Sequence, residues 1–108
     1  MQMNETTKYG LLESDIKQLV LLFKQHQRIT KIILFGSRAK GTFRAGSDVD
    51  IALFGDGLEL NDILDLSIEI DKLNLPYEFD LIIHDRIKEV ALLEHINRVG
   101  VNLYGETH

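Results

Sequence analysis

The stretch ILFGSRAKGTFRAGSDVDIAL, residues 33–53, holds a Gly-Ser turn and an alternating pair of aspartates. The apolar, β-branched run KIILF (31–35) predicts a buried strand, which the following glycine ends. Between the turn and the aspartates stand three cations in an acidic chain, Arg38, Lys40 and Arg44. A solvated loop would explain these cations, and so would a site that holds an anion together with a metal ion.

The aspartate pair begins a second predicted strand, DVDIALF (48–54). Residues i and i+2 of a strand point the same way, about 6.6 Å apart at roughly 3.3 Å per residue. Asp48 and Asp50 therefore project together while Val49 enters the core. A hard divalent cation would remove their repulsion, and two such ions can clamp a phosphoryl transfer. Asp80, on a later strand of matching phase, would join the pair if the two strands are neighbours. A turn with a solvated strand edge is the alternative.

Gly36 and Ser37 end the first predicted strand and open a short helical turn. Free backbone N–H groups at such a turn can hold a phosphate, which glycine allows to approach closely. A serine N-cap that binds no ligand is the alternative. A P-loop is excluded, because Thr42 and Phe43 stand where that motif requires Lys followed by Ser or Thr.

Size and composition indicate one ordinary globular domain of 108 residues with a hydrophobic fraction of 44%. The net charge of −5 argues against a broad basic face for nucleic acid or an anionic membrane. The absence of cysteine excludes disulfides, thiolate catalysis and Cys-ligated zinc. The polar start is unlike a signal peptide, and no stretch has the roughly 20 apolar residues that span a bilayer. We therefore expect a cytoplasmic protein.

The order of predicted elements is α-β-(short α)-β-α-β-α-(β), an α/β or α+β domain. We expect a small mixed sheet with the helices on one face, which leaves the other face free to form a site. A flexible N-terminus is predicted over residues 1–10 and a single domain over 11–108. The other predicted elements are helices over 14–27 (Ser14 as N-cap), 61–74 (stopped by Pro76) and 86–98 (Ile87, Val90 and Ala91 inward, Gly100 at a C′-like position), and strands over 77–83 and 101–104. His26 and His95 fall on predicted helices, at partly exposed positions and without ligand spacing.

The turn and the aspartates combine into G-S-x10-D-x-D, with Ser47 directly before the first aspartate. This pattern resembles the nucleotidyltransferase superfamily that includes DNA polymerase beta and kanamycin nucleotidyltransferase. More narrowly, residues 35–53 are similar to the minimal nucleotidyltransferases, the small prokaryotic partners of HEPN-domain proteins. The resemblance covers nearly the whole chain: a leading helix, a motif hairpin, the strand FDLII (79–83), a last helix and VNLYG (101–105).

The resemblance implies a polymerase beta-like fold with two Mg²⁺ ions and ATP as substrate. It implies roles for five residues: Gly36 and Ser37 in binding phosphate, and Asp48, Asp50 and Asp80 in metal binding and catalysis. Within that set, the third carboxylate, Asp80, helps to activate the acceptor hydroxyl. Arg38, Lys40 and Ser47 are further candidates for nucleotide binding.

The resemblance also implies a function, Mg²⁺-dependent transfer of AMP from ATP to a hydroxyl, in particular a tyrosine of a partner HEPN toxin. The chain would then be the antitoxin of a toxin–antitoxin pair, in a hetero-oligomer, with no direct contact to nucleic acid or membrane. It lacks the helical extension that larger relatives use to bind their acceptor. Two alternatives stay open: a non-catalytic antitoxin that blocks its partner by contact, and a catalytic subunit that modifies a small molecule such as an aminoglycoside.

Overall fold

A computed structural model describes residues 6–105 of the chain. The helices are α1 (Glu13–Lys24), α2 (Gly36–Lys40), α3 (Leu60–Lys72) and α4 (Val90–Val99), and a 3₁₀ turn spans His84–Arg86. The strands are β1 (Thr7–Lys8), β2 (Leu11–Leu12), β3 (Lys31–Phe35), β4 (Val49–Phe54), β5 (Phe79–Ile83) and β6 (Val101–Tyr104). No helix in this described range is long and apolar enough to cross a bilayer.

Four strands form a mixed sheet in the order β5-β4-β3-β6. β3 pairs antiparallel with β4 and with β6, whereas β4 and β5 are parallel and joined through α3. The register sets Phe35 opposite Asp50, and Asp50 opposite Asp80. The predicted class, with a small mixed sheet, is therefore confirmed.

The main core lies between the sheet and the pair α1 and α3. One face of the sheet supplies Ile32 and Leu34 from β3 and Val49, Ile51 and Leu53 from β4. Leu19 and Phe23 of α1 and Leu66 and Ile70 of α3 cover this face. Strand alternation produces this layer, because every second side chain of β3 and β4 points the same way.

The second face of the sheet is also covered, by α4, so the expectation that all helices share one face is wrong. Ile96 of α4 is buried against Phe35 and Ala52, and Ile33 and Ile82 pack around them. The physical reason is that β3, β4 and β5 also carry apolar residues on this face, and a strand that is apolar on both faces needs cover on both. Asp48 and Asp80 nevertheless stay exposed.

Helix ends differ from the predictions in three places. α1 begins at Glu13 with Leu12 at the N-cap position, so Ser14 is not the N-cap. The last helix begins at Val90, because residues 84–86 form the 3₁₀ turn instead. Gly100 has φ −59, so it is not a left-handed C′ residue. Glycine is required there because a Cβ would overlap the Ile96 carbonyl and the Ile33 side chain.

The N-terminal segment folds back on itself before α1 starts. Thr7–Lys8 pair antiparallel with Leu11–Leu12 around a turn at Tyr9 and Gly10, whose φ angles are 57 and 73. Of the flexible N-terminus predicted over 1–10, residues 7 and 8 thus lie in a strand, and residues 1–5 fall outside the described part. Residues 106–108 of the predicted domain also fall outside it.

Candidate active site

Three aspartates meet at one end of the sheet. Asp48 directly precedes β4, and Asp50 is the second residue of that strand. Asp80 pairs with Asp50 in the parallel register, so the condition for it to join the pair is met. Asp50 is partly buried, while Asp48 and Asp80 are exposed. Residues that are far apart in the sequence are thereby placed beside each other.

The charges of these carboxylates are not balanced by neighbouring cations. Burial raises the pKa of Asp50, the carboxylates of Asp80 and Asp48 raise it further, and the Arg38 guanidinium opposes them. Within residues 6–105, none of the three aspartates forms an ion pair. The site therefore carries an excess of negative charge.

A divalent cation fits this donor set. The side chains of the described range do not bring three His, Cys, Asp or Glu groups around one metal position. Mg²⁺ in nucleotide enzymes does not need such a cage, since it binds through one or two carboxylates and completes its shell with waters and substrate phosphates. Asp48 and Asp50 supply the carboxylates and the unbalanced charge that such an ion would offset.

The Gly-Ser turn lies against Asp50. Gly36, the first residue of α2, has φ 75, a left-handed conformation that favours glycine. A Cβ at this position would overlap the Asp50 carboxylate. Glycine is thus required both for its backbone conformation and for the approach of the carboxylate. The neighbouring Ser37 carbonyl accepts the N–H groups of Gly41 and Thr42, at 2.9 and 3.0 Å, and so closes the turn.

His95 of α4 reaches the same turn, a contact that the sequence did not indicate. The Gly36 N–H donates to His95 Nε2 at 3.0 Å, so the ring must be neutral with its proton on Nδ1. The ring also stands edge-on to Phe35, with centroids 6.3 Å apart. One of the backbone donors predicted to hold phosphate is therefore engaged with the protein. No spacing signal could have found this bond, because it depends on α4 crossing the second face of the sheet.

Arg38 is buried, with 4% of its surface exposed. Its Nε and Nη2 donate to the Ser47 carbonyl at 3.1 and 2.8 Å, and its Nη1 donates to the Tyr9 carbonyl at 3.0 Å. The guanidinium lies over the rings of Phe43 and Tyr77, 5.4 and 5.6 Å from their centroids. These contacts indicate a role in holding the loop, and nucleotide contact by Arg38 stays a prediction.

The remaining predicted residues lie in the loop between α2 and β4, residues 41–48, or at its start. Ser47 Oγ accepts the Arg44 N–H at 2.8 Å, a bond that tightens the turn before Asp48. Lys40 and Arg44 are exposed. Nucleotide binding by Lys40 and Ser47 stays a prediction.

Among the hollows on the surface of the described residues, one adjoins this loop and another, larger one does not. A depression of about 250 Å³ is lined by Arg38, Gly46 and Ser47 on one side and by residues 75–78 on the other. A larger hollow, about 560 Å³, lies between α1 and α3 and contains none of the predicted site residues. Its lining contains Asp65 and Glu69, but Glu69 is paired with Lys72, whereas the aspartates at the end of the sheet have no ion pair within residues 6–105.

Comparison with protein families gives a match over residues 17–108 to the family described as Polymerase beta, Nucleotidyltransferase. A candidate protein adenylyltransferase of Methanocaldococcus jannaschii is 42% identical over 60 residues. That alignment covers 54% of this chain and 59% of the length of the relative.

The solved structures similar to this chain include two toxin–antitoxin complexes. One was determined with AMP-PNP; it has a TM-score of 0.67 and 24% identity, covering 87% of this chain and 73% of that one. The other contains the tri-AMPylated HEPN toxin of Shewanella oneidensis with its MNT antitoxin; it has a TM-score of 0.66 and 19% identity, covering 87% and 72%. At these identities the likeness shows the fold, and the predicted polymerase beta-like fold is confirmed.

Proposed function

Since the chain belongs to the polymerase beta nucleotidyltransferase family, we propose that it transfers AMP from ATP to a hydroxyl group of a partner protein. The observation that carries this proposal is the parallel register of β4 and β5, which sets Asp80 beside Asp50. The relative named for protein adenylylation and the complex with an AMPylated toxin support a protein as the acceptor.

The proposed chemistry is one displacement at phosphorus. The acceptor oxygen attacks the α-phosphorus of ATP, the bond between the α-phosphorus and its bridging oxygen breaks, and pyrophosphate leaves. Asp80 takes the proton of the acceptor hydroxyl as general base. Asp48 and Asp50 would hold two Mg²⁺ ions, which supply charge compensation at the phosphate oxygens. At the turn of Gly36 and Ser37, the triphosphate is held by Ser37 and Lys40, because the Gly36 N–H is bonded to His95.

The partner in this proposal is a HEPN toxin, and the modified group is a tyrosine. The chain is then a cytoplasmic antitoxin that forms a hetero-oligomer with its target. One solved complex of the same fold contains a tri-AMPylated HEPN toxin, and the other is also a toxin–antitoxin complex. The exposed position of Asp80 on the edge strand β5 suits an acceptor that approaches from outside the domain.

The test is to express the chain with the product of its neighbouring gene, purify the complex, and add ATP and Mg²⁺. Intact-mass spectrometry should show the partner gaining the mass of one or more AMP groups. Asp80→Asn should reduce this gain strongly while ATP binding is largely kept, because the proposed role of Asp80 is proton transfer. The matched control is Asp56→Asn, because Asp56 is an exposed aspartate in the turn after β4. This variant should leave the mass gain of the partner unchanged.

One outcome would favour the non-catalytic antitoxin instead. In that outcome the complex forms and protects cells, but no mass is gained, and Asp80→Asn protects as well as the unchanged protein.

A further inference from the structure

The N-terminal hairpin, residues 7–12, contacts Arg38 of α2 and Phe43 of the loop that leads into Asp48, although it lies outside the stretch matched by the family. Its turn contains Tyr9 with φ 57, a left-handed conformation that is uncommon for a residue with a side chain. A turn held in this conformation presents the Tyr9 carbonyl to Arg38 at 3.0 Å. The hairpin is therefore tied to the site by a charged hydrogen bond.

Arg38 connects that turn to the residue before Asp48. Ser47 and Asp48 share one peptide group, and Arg38 holds its carbonyl oxygen with two donors. On the other side of Asp48, the Val49 N–H donates to the Glu78 carbonyl at 2.8 Å. The backbone of Asp48 is thus held on both sides, once by Arg38 and once by the segment that leads into β5.

Gly10 leaves no room for a side chain at the point where these parts meet. A Cβ there would overlap the Phe43 ring and come within 2.6 Å of Arg38 Nη1. Phe43 belongs to the loop over residues 41–48 and lies under the guanidinium. The hairpin turn, the guanidinium and the Phe43 ring are therefore in close contact at Gly10.

We propose that Arg38 is a positioning residue, which together with the Tyr9–Gly10 turn clamps the loop over residues 41–48 and fixes Asp48 for metal binding. The proposal rests on the proposed function only in taking Asp48 as a site carboxylate. A lysine could keep the charge of Arg38, but it could not donate to the carbonyls of Ser47 and Tyr9 through a planar fork.

The first test is Gly10→Ala, followed by amide hydrogen exchange of residues 41–50 without nucleotide or metal. The clamp predicts exchange in this loop that is about tenfold faster or more, the effect of losing a hydrogen bond to a charged group. Gly57→Ala is the matched control, because Gly57 has φ 74 against 73 for Gly10 and no neighbour within 4 Å of its Cβ position. Both variants carry the same backbone strain, but only Gly10→Ala disturbs the clamp. Only Gly10→Ala should therefore speed hydrogen exchange in residues 41–50 by more than its loss of global stability explains.

The second test is Arg38→Lys, which decides the matter alone if Gly10→Ala does not fold. The clamp predicts the same faster exchange, and a higher Mg²⁺ concentration for half-maximal AMP transfer, with the KM for ATP at saturating Mg²⁺ little changed. Unchanged hydrogen exchange of the loop in Arg38→Lys would overturn the proposal. If the KM for ATP rises while the exchange is unchanged, Arg38 contacts the phosphates directly. If exchange rises but the unchanged protein transfers no AMP, the clamp stands and the proposed function fails.

Discussion

Asp50 is the residue on which burial and like charge act together. Its pKa is raised, so between the unfolded and the folded pKa the folded chain binds more protons than the unfolded chain. Stability therefore falls as the pH rises through that window, and at neutral pH the charged carboxylate is a net cost to the folded state. A carboxylate that destabilises the folded state when charged and has no ion-pair partner is typical of a functional position.

Asp50→Asn should therefore raise stability while it abolishes transfer. Urea unfolding at pH 7 should show a more stable variant, and its advantage should shrink as the pH falls through the window between the two pKa values. Mg²⁺ should stabilise the unchanged protein but not the variant, because a ligand stabilises only the state that binds it. AMP transfer should fall at least ~10²-fold, since the lost metal contact contributes several kcal/mol to the transition state. A variant that is less stable at pH 7 would contradict this reading of Asp50.

His95 is the second residue whose contact can be isolated. His95→Leu leaves the Gly36 N–H without its acceptor and should cost about 1 kcal/mol of unfolding free energy. His95→Gln offers a side-chain carbonyl to the same donor and should recover part of that loss. Chemical denaturation of both variants measures the difference. An equal loss in the two would mean that the ring acts through packing on Phe35 and not through the hydrogen bond.

At the scale of elements, the local sequence pattern predicted the strands correctly where every second side chain enters the main core. β3 spans the predicted residues 31–35, and Val49, Ile51 and Leu53 of β4 enter the core as alternation predicts. For the predicted last helix the pattern was right about Ile87, which packs against the second core, and wrong about Val90 and Ala91, which are exposed. Val90, predicted to point inward, is 69% exposed, and the helix packs through Ile96 instead. Apolar residues at 87, 90 and 91 fit a helix over 86–98, but the 3₁₀ turn shifts its start and rotates its buried face.

The packing of α4 on the second face can be tested with one pair of substitutions. Ile96 has 2% of its surface exposed, so Ile96→Ala should cost about 2–5 kcal/mol of unfolding free energy. Val90→Ala, in the same helix but exposed, should change stability by less than about 0.5 kcal/mol. Denaturant unfolding measures both. A small loss for Ile96→Ala would mean that α4 is not anchored on the sheet.

At the scale of the whole molecule, the candidate site depends on contacts that no local pattern contains. The spacing of Gly36, Ser37, Asp48 and Asp50 could be read from the sequence, and the phase of β5 indicated Asp80. The bonds from His95 to Gly36 and from Arg38 to Tyr9 join segments 59 and 29 residues apart. They form only because α4 crosses the second face and the N-terminal hairpin folds back beside the loop. The aspartates are thereby grouped at one end of the sheet, in a chain with a net charge of −5, and a bound cation would be stabilised there.

The most direct test of the account is calorimetric titration of the purified chain with ATP, with and without Mg²⁺. The cluster of Asp48, Asp50 and Asp80 should repel the triphosphate when no cation is present, so binding should be weak without Mg²⁺ and much tighter with it. Replacing both Asp48 and Asp50 by asparagine should remove this dependence, and Asp56→Asn should keep it. Equal ATP affinity of the unchanged protein in the two conditions would contradict the claim that these carboxylates hold the metal that joins the nucleotide to the site.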